Sequence, residues 1–249
     1  MPRSLPRSPL PGLGRPAAGP VAVGLLLAVG LGVALGASAC SIAGTAVGGS
    51  GATAPGVGGS IGVLDAGFLG DDVSPSPEAT IAPEPGSWGR VEVPAGFRVV
   101  VVRARDDAAT DTIVGAVEAW AVRVGAESTV LPAAADAEEL IATFEQATAA
   151  DADLVIGAGD GVVDEFAYGT AQHLDQQYLV LGAQLGEPTE NVTSVVWPGA
   201  TFRGTGITDD VQDAAAVTPA RAGDAVAAGV AAVLHGVTGV VVSLPEPRA

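Results

Sequence analysis

The chain has 249 residues, carries 28 Asp plus Glu against 11 Lys plus Arg for a formal charge of −17, and is 48% hydrophobic but only 4% aromatic. An acidic chain repels phosphate, which excludes nucleic acid as a partner, and one Cys with two His leave too little for a metal cluster or a disulfide framework. The length suits one domain with flanking segments, and its core must be built from Ala, Val and Leu.

Residues 1–20 hold Arg3, Arg7 and Arg15 and no acid, and an apolar run over 21–36 ends in Ala37-Ser38-Ala39-Cys40. A basic start, a short apolar stretch and small residues before a cut are the layout of a signal peptide. The sole cysteine stands directly after those small residues, so the segment resembles a lipobox, with Ala37 where Leu is usual and Leu35 close by. An uncleaved anchor is the competing reading, since a membrane span needs ~20 apolar residues. Four glycines inside the run (Gly24, Gly30, Gly32, Gly36) and the position of Cys40 favour cleavage and acylation. The expectation is a leader over 1–39, a lipid on Cys40 and a protein held on the outer face of the cell membrane by that lipid alone. Loss of the leader removes three Arg and no acid, leaving 8 − 28 = −20.

Residues 41–60 are almost entirely Gly, Ala, Ser, Thr and Val, and 71–96 are rich in Pro and acid, as in Ser74-Pro75-Ser76-Pro77-Glu78. Such composition buries too little surface to order itself, and 40–96 reads as a tether. Within it Ile61–Leu69 is an apolar patch, either a stray strand or a segment packed on the domain that follows.

From Phe97 to about residue 245 strand and helix signals alternate. Phe97–Arg103 is a buried strand; Ile113, Val117, Trp120 and Val124 mark one face of a helix over 112–124. Glu127–Leu131 is a second strand, and Asp136 with Glu139 opens a helix to about Ala149. Asp153–Gly157 is a third strand, followed by a helix over about 162–174 with Phe166, Thr170 and Leu174 inward. Tyr178–Gly182 and Val192–Trp197 are the fourth and fifth strands; Ala183–Glu190 between them is too short for the helical crossover that joins parallel strands. Thr218-Pro219 starts a last helix, stopped by Gly236 or Gly239, and Gly239–Leu244 is the final strand. The alternation predicts an α/β fold, a single doubly wound, mostly parallel sheet.

Asp153–Gly157, the helix after it, Tyr178–Leu181, Asn191–Val195, and Gly199–Gly204 with Phe202 together resemble the middle of the basic membrane protein family. These are ABC-transporter substrate-binding lipoproteins, here in the form found in high-GC Gram-positive (actinobacterial) bacteria. The resemblance covers about residues 97–205. It implies one lobe of a type I periplasmic binding protein, capture of a small nucleoside-like solute outside the membrane, and an ABC permease as partner. A two-lobed member needs roughly 300 residues, so the expectation here is one lobe of such a protein. The family's aspartate-aromatic-asparagine segment is also unmatched: Arg105–Asp111 stands in its place.

In an open parallel sheet ligands collect outside the carboxyl ends of the strands, where strand order reverses. That rim would carry Asp106, Asp107 and Thr110 after the first strand, Gly159 and Asp160 after the third, and Gln184 after the fourth. Its carboxylates could accept hydroxyl or amine donors of a solute. Equally, Asp107 and Asp111 could cap the next helix and the glycines form a tight turn. Gly157-Ala158-Gly159-Asp160-Gly161 fails the dinucleotide fingerprint, because position 162 is Val. His173 and His235 suit helix ends; Trp197 could stack a base or pack inside; Asn191-Val192-Thr193 matches a glycosylation sequon. No Gly-x-Ser-x-Gly, paired helix histidines or second cysteine supplies catalytic machinery. The sequence therefore reads as a non-enzymatic lipoprotein without a cofactor. The alternative is an envelope-protein interaction module that has lost its ligand.

Overall fold

Val99–Val102, four β-branched residues in a row, favour extended backbone and leave neither face polar. The computed structural model, which describes residues 60–70, 74–201, 203 and 212–246, puts them at the heart of an all-parallel sheet. In chain order the elements are β1 (Thr80–Ile81), β2 (Arg98–Arg103), α1 (Ala108–Val124), β3 (Glu127–Val130), α2 (Ala137–Thr148), β4 (Leu154–Ala158), α3 (Val163–Gly169), β5 (Tyr178–Leu181), β6 (Val192–Val196), α4 (Pro219–Leu234) and β7 (Val241–Ser243). Cys40 and the expected leader lie outside the described residues.

The 7-stranded sheet has the order β1-β7-β6-β5-β4-β2-β3, and every neighbouring pair is parallel. Alternate residues of each strand point to opposite faces. Val99, Val101, Ile156, Leu179, Leu181, Val195 and Val242 form one core with Ile113, Val117 and Trp120 of α1 and Val226 and Val230 of α4. Val100, Val102, Val155, Tyr178 and Val180 form the other with Leu140 and Phe144 of α2 and Phe166 of α3. The chain leaves β2 toward β3 on one side and returns to β4 on the other, so the order reverses between β2 and β4.

Four expectations change. First, the stretch before Phe97 is not all tether: β1 pairs with β7, Phe68 (1% exposed) and Ile81 are buried in the α1/α4 core, and Leu64, Trp88 and Val91 pack against it. Apolar residues scattered among Gly and Pro have no periodicity, yet each fills a site that the finished domain offers. Second, β5 and β6 are parallel although no α-helix joins them. A four-residue strand is about 13 Å long, and the roughly ten residues between the two strands can reach about 33 Å; a bare loop suffices for the return.

Third, α1 starts one turn earlier than its apolar stripe, because Asp107 is its N-cap. Fourth, α3 ends at Gly169 and passes through a single 3-10 turn over Thr170–Gln172, leaving Leu174 63% exposed rather than inward. The cause is Asn191. Its amide nitrogen donates to the carbonyls of Thr170 (3.1 Å), His173 (3.0 Å) and Gln176 (3.0 Å), which draws the chain out of the helix. The sequon asparagine is thus buried, with its nitrogen committed to backbone.

Phe68→Ala checks the role of the residues before β2. Loss of a fully buried phenylalanine costs ~3–5 kcal/mol, so urea unfolding should show that loss, whereas a residue in a free tether would leave the midpoint unchanged.

Candidate functional site

Because β2, β4 and β5 are adjacent and parallel, the loops after them share one edge of the sheet. Arg103 and Ala158, the last residues of β2 and β4, lie in register across the reversal point. There Arg105 Nη1 donates to Asp160 Oδ1 at 2.6 Å, tying the two loops together from positions 55 residues apart. The Arg105 side chain is 53% exposed and that of Asp160 only 13%.

The other rim carboxylates have different employment. Asp106 is exposed and pairs with Arg103 Nη2, while Asp111 receives Arg103 Nη1 at 3.1 Å. Asp107 accepts the backbone N–H of Thr110 at 2.8 Å. That bond is the main reason its carboxyl is held below the ordinary 3.8; partial burial opposes it and the Thr110 hydroxyl assists. The helix-cap reading of Asp107 is therefore what the backbone adopts. Thr110 is buried. Gly159 has φ +79°, a left-handed conformation suited to glycine, and a Cβ there would sit 3.4 Å from the Thr110 hydroxyl. Gln184 is half-buried and turns toward the β6 side, where Nε2 donates to the Thr201 carbonyl at 3.5 Å.

Sequence reasoning named the acids and missed their partners. Arg103 and Arg105 alternate at the end of an apolar strand, the one local sign that guanidinium groups would reach this edge. The remaining singled-out residues lie elsewhere. Trp197 is 1% exposed, and its indole N–H donates to the Ala216 carbonyl at 2.9 Å; it packs and presents no face for stacking. His173 precedes β5 and His235 precedes β7, so both histidines belong to the amino edge, opposite the rim. A cavity of about 250 Å³ also lies there, lined by Glu145, Thr148, His173 and Asp175. A second of about 220 Å³ sits between the end of α2 and β2–β3, beside Arg98, Thr129 and Gln146. Neither touches the carboxyl rim. Among the described residues no group of three or more His, Cys, Asp or Glu is placed to hold a metal ion.

Structural neighbours of the chain are ABC-transporter solute-binding proteins. One, from Aeropyrum pernix K1, is 16% identical with a TM-score of 0.36 over 43% of this chain and 29% of that one. Another, from Conexibacter woesei DSM 14684, is 16% identical with a TM-score of 0.34 over 41% of this chain and 35% of that one. The chain thus spans about a third of the length of these structures. Likenesses this slight carry no weight for ligand or partner. The sequence matches no protein-family model and no curated protein sequence.

Asp107→Ala removes the α1 cap and should cost ~1 kcal/mol at neutral pH. The folded-state pKa is depressed, so the carboxylate's contribution is complete above the unfolded value and fades as pH falls through the folded one. Urea titrations of wild type and variant should differ at pH 7 and converge as pH falls below the depressed folded-state value of Asp107.

Proposed function

We propose that the chain is a lipid-anchored protein of the outer face of the cell membrane, whose α/β lobe binds a small solute without chemistry and hands it to an ABC-type permease. The observation that carries this reading is the switch point between β2 and β4. There two oppositely charged side chains, Arg105 and Asp160, stand at the place where open parallel sheets take their ligands. The lipobox-like Ala37-Ser38-Ala39-Cys40 supports the anchor. The resemblance to the basic membrane protein family makes nucleosides the first solute class to test.

One observation favours a second reading. Asp106, Asp107, Asp111 and Asp160 all have protein partners, as they would in an envelope interaction module whose rim no longer takes a ligand. Thermal-shift measurements on the full chain with nucleosides, sugars and amino acids separate the two. A ligand at 100 times its Kd stabilises by ~2.7 kcal/mol, a readily visible rise in Tm; no rise with any class favours the interaction module.

The anchor has its own test. In the native host Cys40→Ala should stop processing or move the protein to the soluble fraction. A shortened Cys40→Ala product that stays with the membrane would refute acylation as the attachment.

A further inference from the structure

The rim's charges differ in how firmly they are held. Arg103 is 15% exposed and gripped by two carboxylates, Asp106 and Asp111. Asp107 is committed to the start of α1. Arg105 is half exposed; it hydrogen-bonds one carboxylate, that of Asp160, and its charge also reaches Asp107. The Arg105–Asp160 pair is therefore the exchangeable one, and Arg103 fixes the strand end from which Arg105 extends. Gly161 leaves room for it: a Cβ at that position would lie 3.2 Å from Arg105 Nε.

A ligand that separates this pair faces a strict requirement. The Asp160 side chain is only 13% exposed, and a partly buried carboxylate left without a cation is unfavourable. A solute bearing only a negative charge could take Arg105 but would strand Asp160. One bearing only a positive charge could take Asp160 but would leave the donor fork of the guanidinium to water. A zwitterion replaces both ends together, its ammonium on the Asp160 carboxylate and its carboxylate on the planar donor fork of Arg105.

We propose that the rim recognises a zwitterionic solute of the α-amino-acid class through exchange of the Arg105–Asp160 ion pair. The inference rests on the small-solute reading and departs from the nucleoside class that the family resemblance implies.

The test is calorimetric titration of the full chain with L-alanine, L-leucine and L-glutamine, with the N-acetyl derivative (anion only) and methyl ester (cation only) of each, and with uridine and glucose as neutral solutes. At least one free amino acid should bind, with both of its derivatives at least tenfold weaker. Arg105→Gln and Asp160→Asn should each weaken it tenfold or more while keeping the wild-type circular dichroism. Should either variant fail to fold, the derivative series on the wild-type chain decides alone. Binding of uridine or glucose without any amino acid overturns the zwitterion and leaves the solute reading standing. Amino-acid binding that ignores the derivatives' missing charge, or that folded variants retain in full, overturns it as well. Silence from every probe removes both readings.

Discussion

Everything in this molecule follows from a sheet in which every paired neighbour is parallel and which must be covered on both faces. The central strands β2, β4 and β5 have no side that can face water, so they read as nearly unbroken aliphatic runs, whereas the edge strand β3 is largely exposed; the helices divide between two cores. The valines of β2 show the division at single-residue resolution: Val99 and Val101 enter the core with α1 and α4, Val100 and Val102 the core with α2 and α3. A one-residue slip of β2 against β4 would exchange the two sets and oppose the register Val99↔Leu154 to Arg103↔Ala158. The same register brings the loops after β2 and β4 together, so the rim is a consequence of the core.

With few aromatics available, their placement matters. Phe144 stacks on Tyr178 with ring centres 5.5 Å apart, and Phe166 meets both edge-on at 5.2 and 5.9 Å. This trio joins α2, α3 and β5 in the smaller core. Burial pushes the Tyr178 hydroxyl up to about 12, although a hydrogen bond with Thr148 at 3.0 Å opposes the shift; the phenol is a neutral structural group at any physiological pH. The larger core has the edge-on pair of Phe97 and Trp120 with Phe68 and Trp197, and alanine-rich α4 packs into it through Ala222, Ala225, Ala228 and Ala231.

Periodicity and capping chemistry made most of this architecture legible. The strands from β2 to β7 and the four α-helices each have a local cause within their own residues: β-branched runs, an apolar stripe, Asp136 with Glu139, Thr218 with Pro219. What escaped the sequence has its cause elsewhere in the chain. Ile81 becomes strand because β7 offers an open edge, and Phe68 is buried because the finished domain has a place for it. Asn191 showed only a sequon match, with no structural role visible; its three carbonyl partners precede it by 15 to 21 residues. At the rim the acids were visible, but which of them would be capped and which ion-paired depended on the directions in which Arg103 and Arg105 leave the end of β2. No local pattern encodes those directions.

The two edges of the sheet carry different mixtures of bonds. At the amino edge the exposed Arg98–Asp151 ion pair stands beside bonds that reach backbone: Asn191 on three carbonyls, and Asp153 accepting the Arg98 N–H at 2.7 Å. Breaking one leaves a desolvated polar group without a partner, at a cost of ~1–3 kcal/mol. At the carboxyl edge the ties are ion pairs between side chains, and Arg105 reaches its partner through water-exposed space. Exposed pairs of this kind contribute only ~0–1 kcal/mol, so separating Arg105 from Asp160 costs the fold little provided that the partly buried carboxylate receives a new cation. The exposed Arg105–Asp160 pair stands where the strand order reverses, and that position is the physical reason to look for ligand at the ends of β2 and β4 rather than in the cavity beside His173.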